Sequence, residues 1–363
     1  MLPPAPVLPE PPAAEGEASG PRSRWRLAVG AAALLVVLVV GSSLLSVPYV
    51  ALRPGSVRPV SQQIVVEDAR SFPPEQSVAF TTVNVGSVSL LEALAGWLDD
   101  GVDVLPEERV RGSRSADENR RYNAQLMDTS KLTAIAVAQE HLGEDVRITT
   151  SGTIVRQIEG GSPAASVLEL DDVIVAVDGQ PVDVPDQIGT LLQPGGPGAT
   201  HTLTVERPAG STSQIDVEVT TVALPTEPNR AVIGIVPEDR IVDFDFPIDV
   251  TIDSGDVGGP SAGLAFTLAV IDVLTAGELT GGLRVAVTGT MSLDGTVGPV
   301  GGGAQKAVTV RSSDYDVFLV PSSEFDEVQR SVGGDLEVIA VDSLTDALAA
   351  LASLGGDPAV LAR

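Results

Sequence analysis

The pattern of apolar and polar positions changes character several times along the chain. Residues 27–45, "LAVGAAALLVVLVVGSSLL", carry no charge at all. As a helix rising about 1.5 Å per residue, such a run is about 28 Å long, close to the roughly 30 Å hydrocarbon core of a bilayer. Residues 78–86, "VAFTTVNVG", alternate as a strand does, and "SVSLLEALAGWLDD" at 87–100 has helical spacing. The longest helical pattern covers 115–142, with Ser115 as N-cap, Asp117 and Glu118 in the first turn and Gly143 as the stop. Lys131 and His141 read as residues of its solvated face. Residues 146–222 are rich in short strands, and "TTVALPTEPNRA" at 220–231 reads as a linker. Strands and helices then alternate. A strand is expected at 247–252, a mostly apolar helix at 262–274, and strand, Asp294-Gly295 turn and strand within 283–302. Further strands are expected at 316–321 and in "LEVIAV", each followed by a helix.

These elements predict an α+β chain. It comprises a tail at 1–26, a transmembrane helix at 27–47, an α/β segment at 48–143, a β-rich domain at 144–222, a linker at 223–231 and an α/β domain at 232–355. The strand at 78–86 is a candidate for the sheet of the last domain, with the β-rich domain inserted. Arg22, Arg24, Trp25 and Arg26 precede the apolar run, so the positive-inside bias places the N-terminus in the cytoplasm and the rest of the chain outside a single-pass span. A cleavable signal peptide is the rival, but its apolar core is usually about 7–15 residues, shorter than this run.

Charge and composition narrow the chemistry. The net charge is −27, and residues 1–26 sum to zero, so the acidity lies wholly beyond them. Such a surface repels nucleic acid. Cysteine is absent, which removes disulfides, thiolate metal sites and a cysteine nucleophile, and no metal or cofactor is expected. Among 22 basic residues only Lys131 and Lys306 are lysines, so a lysine that is kept invites a reason.

"GDVGGPSAGLAF", 255–266, sets Ser261 on a glycine-rich turn where an apolar helix begins. Free amides at a helix start favour negative charge, which suits a phosphate or an oxyanion equally. Gly259, Pro260 and Ala262 are the candidate oxyanion and loop residues of the turn. A serine hydroxyl needs a base. His141 and His201 lie outside the region that carries Ser261, whereas Lys306 follows a second glycine-rich turn, "GPVGGGAQ". A lysine near its ordinary pKa of about 10.4 is protonated at neutral pH, and burial lowers that value. A serine–lysine dyad is therefore feasible. Arg284 and Lys306 are the only cations across 241–310, which disfavours a phosphate-binding kinase.

Two resemblances follow. The strand at 153–157, the "GSPAAS" turn, "LELDDVIVAVDG" and the helix around 184–192 resemble a PDZ domain, with Asp171 where the family usually has glycine. The resemblance implies a peptide-binding or regulatory module, with its carboxylate-binding loop near 148–153. "GGPSAG" together with "TGTMSLDGTVGPVGGGAQK" resembles the proteolytic domain of the Lon family over about 247–350. That resemblance implies Ser261 as nucleophile, Lys306 as base and Thr288 as the residue positioning the lysine, with Gly258 where ATP-dependent members usually have Asp. The order of anchor, PDZ and Lon-type domain is similar to membrane-anchored PDZ–Lon peptidases. This implies an ATP-independent serine endopeptidase acting on protein or peptide substrates outside the membrane, with homo-oligomers left open. A catalytically inactive PDZ/Lon-type binding scaffold is the alternative.

Overall fold

The computed structural model describes residues 21–67, 71–99, 101–112, 114–207 and 214–357. The larger domain is built on a six-stranded sheet in the order Glu337–Val341, Val317–Pro321, Val285–Val287, Ala79–Ser89, Ser46–Pro59, Asp103–Pro106. The first three pairings are parallel and the last two antiparallel. The strand expected at 78–86 therefore lies beside Val285–Val287, in the same sheet as the C-terminal strands.

Side-chain alternation divides this sheet into two packed faces. Val285, Val287, Val317 and Leu319 face a core shared with the helices Ala116–His141, Gly263–Leu274 and Leu344–Ser353. Ala286, Phe318 and Val320 face Ala307 and Val310 of the helix Gly303–Arg311, together with Val328 and Val332. The helix that follows Ser261 and the helix that carries Lys306 thus cover opposite faces of one sheet. Gly263–Leu274 is buried at every position but Leu274, which explains its lack of polar periodicity. The strand Val317–Pro321 is buried throughout, as expected of a parallel strand covered on both faces.

The long helix begins at Ala116 under a Ser115–Glu118 capping box. Its C-terminal half is core rather than a solvated face, with Thr133 to Gln139 all buried. Lys131 is half-buried, and its Nζ pairs with exposed Asp128 at 3.3 Å. Ser89, expected inside a helix, ends the strand Ala79–Ser89 and caps the helix Leu90–Gly96.

The second domain interrupts the first between the helix Ala116–His141 and the strand Asp249–Ile252. Its antiparallel sheet runs Ile235–Asp245, Arg147–Ile158, Val173–Val177, Thr200–Glu206, Gln214–Thr220 around a core of its own. Two expectations change here. Residues 223–231, read as a linker, contribute to a hairpin of Val222–Leu224 with Glu227–Val232. Residues 235–245, read as the start of the α/β domain, belong to the inserted sheet. Local alternation reveals a strand but not which sheet it joins, because pairing is decided by distant partners. Both ends of the insertion are stapled by buried Gln139. Its Nε2 donates to the Ile248 carbonyl at 2.7 Å, and its Oε1 accepts from the Ile248 amide at 3.1 Å.

The apolar run 27–45 falls on the helix Pro21–Leu44. Leu34 to Val40, seven consecutive residues that circle the helix, are all exposed. Among the described residues no helix is long and apolar enough to cross a membrane. The described side chains of this helix are Trp25 and those from Ala28 onward, so Leu27, where the expected span begins, lies outside them. Most of the tail at 1–26, its first 20 residues, also lies outside the described residues.

Candidate active site

The turn before the helix Gly263–Leu274 is shaped by three glycines, each for a different reason. Gly259 has φ +91°, a conformation that side chains rarely adopt. A Cβ on Gly258 would lie 3.0 Å from Asn123 Cβ, so the residue that replaces the family's usual Asp lets the turn press against the long helix. A Cβ on Gly263 would lie 2.7 Å from the Met291 amide. The long helix also bonds the turn directly. The Gly259 amide donates to the Asn123 carbonyl at 2.8 Å, and Ser130 Oγ donates to the Pro260 carbonyl at 3.2 Å. Neither Asn123 nor Ser130 stands out in the sequence, since each acts across more than a hundred residues.

These contacts revise the donors expected around Ser261. The Gly259 amide is already used by Asn123, and Pro260 has no N–H, so both are framing residues. Among the described residues, the amides of Ser261 and Ala262 have no acceptor and stay available at the helix start. Asp253 Oδ1 accepts from the Gly255 amide at 2.9 Å and holds the preceding turn.

Thr288 joins the two faces of the sheet. The Gly289 amide and Thr288 Oγ1 both donate to the Ser261 carbonyl, at 3.0 and 3.2 Å. Lys306 Nζ donates to Thr288 Oγ1 at 3.0 Å. Lys306 is 1% exposed, and no hydrogen bond joins its Nζ to Ser261 Oγ. Burial pushes the Lys306 ammonium down to about 8, while the Glu324 carboxylate pulls the other way. A buried lysine of lowered proton affinity is thereby held one side chain away from a half-buried serine. Ser261 opens on a cleft of about 230 Å³, lined by Arg58, Thr82, Asn84, Asp256 and Gly258 among others. Strand Ala79–Ser89 forms the wall opposite the serine turn.

The inserted domain presents a different opening. The strand Arg147–Ile158 is paired along its length with Ile235–Asp245 and on its other side with Val173–Val177 only at Thr153 and Ile154, so the expected carboxylate-binding loop at 148–153 already lies beside a strand of its own domain. The sheet ends on Gln214–Thr220 and on Ile235–Asp245, and the latter edge packs beside the helix Pro185–Leu191 and follows Gly234 at φ +78°. An open groove of about 980 Å³ lies between Asp186, Gly189 and Thr190 of that helix and residues Glu227 to Arg230. Asp171 replaces the usual glycine yet takes φ +67°, and Arg156 Nη1 donates to its Oδ1 at 2.8 Å. Asp and Asn tolerate that conformation better than most residues.

The Lon protease (S16) C-terminal proteolytic domain matches residues 213–353, and the PDZ domain matches residues 140–219. The chain carries a PDZ domain and a Lon-type proteolytic domain. The Lon-type region is 31% identical over 117 residues to Lon protease 1 of Sorangium cellulosum, covering 31% of this chain and 14% of that protein. It is 32% identical over 123 residues to Lon protease of Methylocella silvestris, covering 33% and 15%. The chain thus spans less than a fifth of the length of these curated relatives. The PDZ domain of the SdrC-like protein from Listeria monocytogenes is 20% identical, covering 25% of this chain and 92% of that one, with a TM-score of 0.23. In the structure the Lon-type domain also includes the strands Ser46–Pro59, Ala79–Ser89 and Asp103–Pro106, which lie N-terminal to both matches.

Proposed function

We propose that this chain is a membrane-anchored serine endopeptidase that cleaves extracytoplasmic or membrane-proximal proteins. Thr288 carries the reading, because one hydroxyl binds both the buried lysine and the backbone of Ser261. In the resting arrangement Lys306 is held by Thr288. Its neutral form turns to Ser261 Oγ, takes the proton, and the oxygen attacks the scissile carbonyl. The amides of Ser261 and Ala262 donate to the developing oxyanion. Lys306 then returns the proton to the leaving amine, and water resolves the acyl-enzyme by the same base. Hydrolysis is downhill and no step requires ATP. The anchor is the helix Pro21–Leu44, whose exposed ring of Leu and Val side chains suits lipid on every side.

The PDZ domain would recruit or regulate by accepting an extended peptide along the free edge of Ile235–Asp245. The test is incubation of the full chain with an unfolded protein and a peptide library, beside Ser261→Ala and Lys306→Ala. Cleavage by the parent alone, with a serine-directed phosphonate adduct at Ser261, is expected. Equal cleavage by all three chains sinks the mechanism. Peptide binding without cleavage by any of them favours the inactive scaffold.

A further inference from the structure

Glu324 ends the turn Ser322–Glu324 behind the helix that carries Lys306, and it is only 8% exposed. Its Oε1 accepts from the Val300 amide, which belongs to the glycine-rich turn leading into that helix. Its Oε2 is buried and has no partner among the described residues. That oxygen packs against the first residue of the helix, since a Cβ on Gly303 would lie 3.0 Å from it. The start of Gly303–Arg311 has no side-chain cap, and Gly302 enters it at φ +70°. The carboxylate therefore sits at the positive end of the lysine helix, one turn from Lys306, whose amide bonds the Gly302 carbonyl.

We propose that Glu324 is a positioning residue, which fixes the glycine turn before Lys306 and sets the protonation of that lysine through space. The role in catalysis rests on Lys306 being the base. Other charges near the lysine helix are more exposed. Arg53 and Arg58 lie on Ser46–Pro59, and Asp326, Glu327 and Arg330 on Phe325–Val332, while Arg311 ends the lysine helix itself. Burial raises the Glu324 carboxyl, and the Val300 amide and Lys306 oppose that rise. A negative neighbour keeps Lys306 protonated to higher pH than burial alone would allow.

The experiment uses the scarcity of lysine. With lysine carrying ¹³C at Cε, the full chain gives two lysine signals, Lys131 and Lys306. Glu324→Gln keeps an acceptor for Val300 but removes the charge, and the Lys306 midpoint is expected to fall by about half a pH unit or more while Lys131 stays put. Glu324→Asp keeps the charge and is expected to return the midpoint toward the parent value. The acid limb of kcat/KM should follow the same order. An unmoved or raised Lys306 midpoint in a folded Glu324→Gln chain overturns the proposal, as does equal displacement in the Gln and Asp variants. If the midpoints move as expected but Ser261→Ala still cleaves, the peptidase reading fails while the coupling stands.

Discussion

The two domains treat buried charge in opposite ways. In the PDZ domain, Asp172 is fully buried and fully matched. Arg207 grips it with two bonds of 2.9 and 2.8 Å, and the Glu169 amide adds a third at 2.8 Å. In the Lon-type domain, Lys306 is buried beside a neutral threonine. Asp272 is fully buried with one amide partner and an unpartnered Oδ2. A matched charge specifies a packing arrangement. An unmatched one changes its proton affinity, which is the raw material of acid–base chemistry. Lys306 is lowered to about 8 and Asp272 raised to about 7, both chiefly by burial.

The strongest way to break this comparison is Lys306→Met. Peptide cleavage should fall by about 10³-fold or more. The parent should gain stability as pH rises from about 8 to 10, because there the unfolded lysine still holds a proton that the folded one has lost. Chemical denaturation across that range should show the slope in the parent and its absence in the variant. A variant that keeps cleaving removes the reason for an unmatched lysine.

Asp172→Ala attacks the matched side. It strands the Arg207 guanidinium and the Glu169 amide and should cost about 3 kcal/mol of PDZ stability, measured by denaturant melts. Ser261 labelling by a serine-directed reagent should survive if the two cores are energetically separate. Asp272→Asn tests the opposite sign. Because the folded carboxyl binds its proton up to about pH 7 and the unfolded one only to about 4, parent stability should decline between those values. The amide should remove that decline and stabilise the protein at neutral pH by about 2 kcal/mol. Equal melting of parent and variant at pH 7.5 would show that Asp272 is solvated after all. The smallest effect is expected from Asp171→Gly. It relieves a left-handed residue but gives up the Arg156 ion pair, so melting should change by less than about 1 kcal/mol.

How much was legible depended on whether a signal was local. Ser261 could be read because glycine, proline and an apolar helix surround it in twelve consecutive residues. Lys306 could be read because the chain contains one other lysine. Asn123, Ser130 and Glu324 could not, since nothing in their own neighbourhoods marks them. They matter only because a helix packs against the serine turn and a strand end packs against the lysine helix. The hairpin mistaken for a linker and the strand assigned to the wrong domain share that cause: period and turn residues announce a strand, whereas its partner is chosen by the whole sheet.

The amino-acid sequence by itself determined the apolar run, the capped long helix, the two glycine-rich turns and the residue types available for acid–base work. Each follows from local sterics, side-chain periodicity or composition. Only the tertiary structure decided that helices on opposite faces of one sheet converge on Thr288, that N-terminal strands complete that sheet, and that Ile235–Asp245 is an end strand of the inserted sheet. Those outcomes depend on burying side chains contributed from distant parts of the chain, and burial in turn is what moves the lysine's proton affinity into a useful range.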